Sequence, residues 1–330
     1  MLGLVLPGCP SPAEPQRSEK PKEPGKASEP QQPEAAAHSQ EKPALPAKSE
    51  PPAKAEPASQ PEAKPAPPAK PESKPEAKSA GSAAGVEGMP SPPKVSSFAP
   101  AEDLVYQMDK YIAEMEKGTA TESKYKEDLA EEKASQTGST KVGQTGSTMV
   151  LLAVALGLSD QDNKYKANAG ALLAACQKLA VAADYAATKQ AVAAVAAAAK
   201  GEGRGAVEPK WARLADLMEL MNQVPHINTN LKSNLNHLDR KTKDAAANSA
   251  ALAVIAQGAM ANVADTRKPA ESQKWFAFCI EMREAAAALN ASLHAKNQKA
   301  VSETMDRLQK SCDECHDVFK PKDDEKKPEK

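Results

Sequence analysis

Aromatic residues make up only 3% of the 330-residue chain, and none occurs before Phe98. A long stretch without aromatics cannot bury enough apolar surface to offset the entropy of ordering it. The remainder lacks the β-branched and aromatic runs that a β-sandwich or barrel needs, which excludes both. No run of 18 consecutive apolar residues occurs, so the sequence predicts no transmembrane helix. Excess charge is also missing: the formal net charge is −1, which gives no reason to expect nucleic acid as a partner. No acid–base pair and no nucleophile with a partner stands out, so the chain is not expected to be an enzyme.

Proline is abundant but confined. Of 28 prolines, 23 fall in residues 1–100. Residues 10–97 are built from Pro, Ala, Lys, Glu and Ser, with 12 basic and 12 acidic residues intermixed. This composition predicts a disordered linker with polyproline II bias. About 230 residues remain to fold, enough for two small cores. Residues 321–330 read as a disordered charged tail.

From residue 99 the pattern becomes helical. Leu104, Met108, Ile112 and Met115 fall at helical spacing within 99–134. The pentapeptide QTGST then occurs twice, at 136–140 and 144–148, and its Gly and Thr predict a loop. Helical segments resume at about 148–159, 165–186 and 188–200, and Gly201, Gly203 and Gly205 mark a boundary. Four more segments follow, at about 210–237, 241–264, 271–293 and 297–320. Each carries one apolar stripe, as in Trp275, Phe278, Met282, Ala285 and Leu289. Short connections between four such helices predict an up-down-up-down bundle.

The two halves look like copies of one unit. Asp103-Leu104-x3-Met108 matches Asp216-Leu217-x3-Met221, and Leu152-Ala-Val154 matches Leu252-Ala-Val254. Cys176 and Cys279 follow in turn. The expected fold is therefore all-α: two tandem four-helix bundles, over 99–200 and 206–320, after the linker.

Cys312-Asp-Glu-Cys315-His316 is the strongest chemical signal. With five cysteines and five histidines in the chain, chance would place C-x-x-C-H with a probability of roughly 10⁻³, which favours haem attachment. Two thiols three residues apart reach the two vinyl groups of one haem, and the next residue offers an imidazole to the iron. Zinc would need two more ligands, which the isolated Cys9, Cys176 and Cys279 do not supply. A redox dithiol belongs at a strand-to-helix turn, whereas this motif falls in the last turns of a helix.

A four-helix bundle with C-x-x-C-H near the end of its fourth helix resembles the cytochrome c′ family. Cys312-Asp-Glu-Cys-His-Asp-Val-Phe-Lys320 is similar to that family's C-terminal signature, although the family usually has arginine where Lys320 stands. The resemblance covers 209–320 well and 99–200 weakly. It implies covalent haem c held by Cys312 and Cys315, His316 as proximal iron ligand, and maturation outside the cytoplasm. It implies one-electron transfer with a redox partner still to be identified, or, alternatively, a five-coordinate haem that binds NO or CO. A homodimer is compatible with it.

Ala215-Asp-Leu-Met-Glu-Leu-Met221 resembles the opening of the first helix in the periplasmic four-helix b-type cytochrome, whose corresponding methionine ligates iron. This selects Met221 as distal ligand, on a face with Leu214, Leu217 and Val224. Met218, His226 and His237 are the alternatives, as is no protein ligand. Pro225 removes the backbone donor for the Met221 carbonyl and predicts a kink or an end to the helix. The first repeat keeps Met108 but has no C-x-x-C-H, and no histidine lies between His38 and His226. It reads as a haemless copy. Cys176 and Cys279 read as core residues, with a disulfide between the repeats as the alternative.

At the N-terminus, Leu6-Pro-Gly-Cys9 resembles the lipobox of bacterial lipoproteins. This implies a lipid tether through Cys9 and a periplasmic or outer-surface location. Only eight residues precede Cys9, without a basic region, so a start further upstream is expected.

Overall fold

Among the described residues, 88–129, 139–203 and 207–320 of a computed structural model, the chain forms nine α-helices joined by turns and short 3-10 segments, with no strand. The fold is all-α. Cys9 and the lipobox-like segment, the linker up to residue 87, and the tail 321–330 lie outside the described residues.

The half that the sequence pattern marks as a first repeat contains α1 (Ala101–Gly118), α2 (Glu122–Asp128), α3 (Lys141–Leu158), α4 (Ala169–Ala180) and α5 (Tyr185–Ala199). The second contains α6 (Leu217–Leu235), α7 (Leu238–Ala259), α8 (Ser272–His294) and α9 (Gln298–Phe319). Helix starts follow from caps. Thr121, Thr140, Asp184, Asp216 and Asn297 each accept the N–H three residues ahead, satisfying a donor that the first turn leaves free. The matched motifs lie on α1 and α6, the Leu-Ala-Val triplets on α3 and α7, and the lone cysteines on α4 and α8.

Three sequence expectations are corrected. The second QTGST copy is no loop: Gln144–Thr148 lies inside α3. Its glycine shortens a helix–helix distance instead of ending the helix. A Cβ on Gly146 would stand 2.6 Å from the Ala180 Cα, so only glycine lets α3 lie this close to α4. Next, of the kink or end expected at Pro225, the end is overturned: α6 runs through it. Leu220 on one side and Ile227 and Leu231 on the other are all buried, and this shared stripe holds the helix together across the lost hydrogen bond. Finally, packing begins before residue 99. Val95 and Phe98 are buried in the core, Met89 packs against the aromatic cluster described below, and Ser96 binds Asp160 through its hydroxyl at 2.6 Å and its N–H at 3.0 Å.

Within the first repeat α3 packs on α1 and α4, and α5 on α4 and α1; within the second, α6, α7, α8 and α9 pack in chain order. The repeats also pack on each other, α1 and α3 against α7 and α3 against α6. One apolar cluster draws residues from both, including Leu104, Leu151 and Leu172 with Ile227, Leu252 and Leu289. Helix α3 is long and apolar enough to cross a membrane, but 83% of it is buried inside the protein, which accounts for its composition. Polar ties reinforce the junction: Asp103 accepts from Asn290 at 2.7 Å and lies 2.8 Å from His294 Nε2, and Asp244 accepts from Tyr106 and Lys110 at 3.1 Å each. A second, smaller cluster forms around Met260, Trp275, Phe276, Cys279 and Phe319.

Candidate functional site

The last two turns of α9 carry Cys312, Cys315 and His316. Residues three and four apart share a helix face, and this face looks across the second repeat towards α6. The three side chains line one cavity of about 270 Å³ together with Met221, Val224 and Pro225 of α6. Ala256 and Ala259 of α7 and Trp275, Phe278 and Met282 of α8 complete its walls. The two alanines leave the space that larger residues would fill. Trp275 is fixed, since its Nε1 donates to the Ala259 carbonyl at 3.0 Å and its ring meets Phe319 edge-on at 5.3 Å.

The electrostatics favour neutral groups. Desolvation raises the Cys312 thiol above its usual range, and burial, reinforced by Cys312, pushes Cys315 up to about 11. Partial desolvation lowers His316, and Lys320 reinforces this. A neutral imidazole keeps a lone pair available to a metal. None of the four described cysteines forms a disulfide. The alternative of a Cys176–Cys279 bridge is therefore corrected: Cys176 is buried in the large cluster and Cys279 in the aromatic one.

Of the distal candidates, Met221 alone lines this cavity. It is half-buried and packs against both apolar clusters. Met218, only three residues before it, is 53% exposed. His226 lines a different, polar cavity, and His237 is the exposed N-cap of α7. In the first repeat Met108 is fully buried. Cys279 also lines the thiol cavity, and its burial raises its thiol well above the usual range. The periodicity of α8 signalled that Cys279, Trp275 and Phe278 face inward, but not that they border a cavity.

The donor set suits haem c. Two thiols and an imidazole stand on one wall, a thioether stands on the facing helix, and the lining is mostly apolar. The volume lies just below the range for ligand pockets, roughly 300–1,000 Å³, and the cavity opens to solvent beside the exposed His316. Elsewhere, ligand atoms of Glu102, Asp103 and His294 lie within 4.8 Å of one another. Asp103 is already engaged there by Asn290 and His294, as a tie between repeats.

Comparison with protein-family models, curated proteins and solved structures returned no match. The functional reading therefore rests on the chain's own residues.

Proposed function

We propose that this chain is a monohaem c-type cytochrome of cytochrome c′ type that works outside the cytoplasm and transfers single electrons. In this reading the two repeats are tandem four-helix bundles. The second holds the haem and the first is a haemless copy that buttresses it. Cys9 would tether the chain to a membrane through the linker.

The carrying observation is the shared cavity, which Met221 of α6 lines together with Cys312, Cys315 and His316 of α9. When bound, haem supplies an iron that alternates between ferric and ferrous states by one electron. The chain's residues provide the rest. The thiols of Cys312 and Cys315, protonated and side by side, offer two attachment points on one helix face. His316 presents a neutral ring, kept so by desolvation and by Lys320. Met221 would offer a sulfur to the haem, a soft donor that would favour the reduced state and raise the potential relative to histidine. Trp275, Phe278 and Met282 exclude water from the apolar wall. Pro225 gives no N–H to the Met221 carbonyl, so this backbone is less constrained than an unbroken helix.

Protein produced with a c-type maturation system should retain haem on a denaturing gel and show low-spin bands in a reduced-minus-oxidised spectrum. The double variant Cys312→Ala with Cys315→Ala should lose the haem-stained band. A band that survives sinks the attachment assignment. High-spin bands in the wild type would instead favour the open-site, gas-binding function.

A further inference from the structure

A second cavity lies at the junction of the repeats, on the side of α6 that faces away from the thiols. It measures about 380 Å³ and takes its walls from α1, α3, α6 and α7, two helices from each repeat. Its lining is polar where a helix junction is ordinarily apolar. Gln107 of α1, Gln144 of α3, Gln223 of α6 and Asn248 of α7 all face it, and each is at least 94% buried. Gln144 and Thr145 come from the second QTGST copy, so this motif serves the cavity from within a helix.

Buried carboxamides ordinarily find partners, because an unmade hydrogen bond costs the full desolvation of the group. Two atoms here do not: although the Gln107 side chain hydrogen-bonds Tyr111, its Oε1 acceptor, like the Asn248 Nδ2 donor, has no partner among the described residues. Both side chains line the cavity. An occupant must therefore donate to one and accept from the other. A hydroxyl group does both, whereas a simple anion only accepts. The Tyr111 hydroxyl, which accepts from Gln223 Nε2 at 3.4 Å, adds a further polar contact.

The charged rim narrows the chemistry. Lys110, Lys141 and Glu114 stand there. Lys110 is held by Asp244 at 3.1 Å. Desolvation raises the Glu114 carboxyl above its usual range, while the charges of Lys110 and Lys141 work against this. The Lys141 ammonium is exposed; its charge acts on Glu114 across the rim, and it can also meet a negative group of an occupant.

We propose that this cavity binds a small polyhydroxylated carboxylate, a sugar acid, with hydroxyls on Gln107 and Asn248 and its carboxylate on Lys141. The site is independent of haem attachment. Occupation would bridge the two repeats, since Gln107 and Lys141 belong to one and Asn248 to the other.

The test is calorimetric titration of the full-length protein with gluconate and glucuronate. Sorbitol serves as a control with hydroxyls but no carboxylate, and butyrate as one with a carboxylate but no hydroxyls. At least one sugar acid should bind at one site per chain, with sorbitol weaker by roughly tenfold or more, the scale of one lost charged contact. Butyrate should give no binding. Lys141→Ala is a surface change that should leave the melting temperature unaltered and weaken sugar-acid binding by a similar factor. Asn248→Leu should also weaken it, and Lys141→Ala alone decides if that variant does not fold. Absence of binding by both sugar acids at millimolar concentration would mean that the cavity holds water only. Equal binding to wild type and Lys141→Ala would place the site elsewhere. Either result overturns the proposal.

Discussion

Met221 and Met218 lie three residues apart on α6, and the structure separates their roles sharply enough for one experiment. Met221 is half-buried against both apolar clusters and lines the thiol cavity, whereas Met218 is 53% exposed. Truncating a fully buried methionine to alanine costs about 2–5 kcal/mol. Half burial scales this to about 1–2 kcal/mol for Met221→Ala. An exposed position stays within about 0.5 kcal/mol, which is the expectation for Met218→Ala. For a chain of this size, 1 kcal/mol moves the melting temperature by roughly 2–4 °C. Met221→Ala should therefore melt some degrees lower and Met218→Ala should not move measurably. These melts are best made on the Cys312→Ala, Cys315→Ala background, where no haem contributes. In the haem-loaded protein, Met221→Ala should change the absorption spectrum from low to high spin and speed carbon monoxide uptake, while Met218→Ala leaves both unchanged. A wild-type protein that is already high spin refutes the sulfur-ligand argument. So does a spectrum that responds to Met218→Ala as strongly as to Met221→Ala.

Two further outcomes follow from the shared core. Residues 88–203 expressed alone would expose the faces of α1 and α3 that pack on α6 and α7. This fragment should bind a hydrophobic dye and melt with low cooperativity; a sharp dye-free transition would show that the first repeat is self-sufficient. Asp244 supplies a pH signature. Desolvation alone would raise its carboxyl, but hydrogen bonds from Lys110, Lys241 and Tyr106 hold it below its usual range. The unfolded state then takes up the proton first as pH falls, so the stabilisation is present above the ordinary carboxylate range and is lost as pH drops through the lowered folded value. Asp244→Asn should cost about 1.5–3 kcal/mol at neutral pH, the scale of a hydrogen bond to a charged partner. Its denaturant midpoint should converge with that of wild type in acid, and a gap that persists there would contradict the assignment.

The thiol cavity was largely legible because its members announce themselves by spacing. Cys312, Cys315 and His316 are neighbours in sequence, and Met221 sits on an apolar stripe whose period places it inward. Element ends were harder where small residues have two uses. Gly146 and its neighbours read as a loop because glycine and threonine end helices in solvent. Inside a core, the missing side chain of Gly146 instead admits the backbone of Ala180. The prolines of that region place Val95 in the linker and Phe98 beside it; two buried side chains anchor it regardless of average composition. The polar cavity left no trace in sequence. Gln107, Gln144, Gln223 and Asn248 come from four helices spread over some 140 residues, and no local period links them.

Helix α6 shows why one of these sites could be read and the other could not. Its buried Leu220, Ile227 and Leu231 form the stripe that fixes its rotation. With that rotation set, Met221 and Val224 fall on the flank towards α9, and Gln223 and His226 fall on the flank towards α1 and α3. An amphipathic pattern reports the stripe and, beside it, the apolar flank. The polar flank looks like an ordinary solvated face until α1 and α3 cover it. The covering is what turns Gln223 from a surface residue into a buried one, and it depends on tertiary packing between α3 and α6. A helix flanked by cavities of opposite character must also resist rotation in both directions. Turning it to relieve the polar flank would carry Met221 away from the thiols, so the leucine stripe and the partners of Gln223 fix the same angle from different sides.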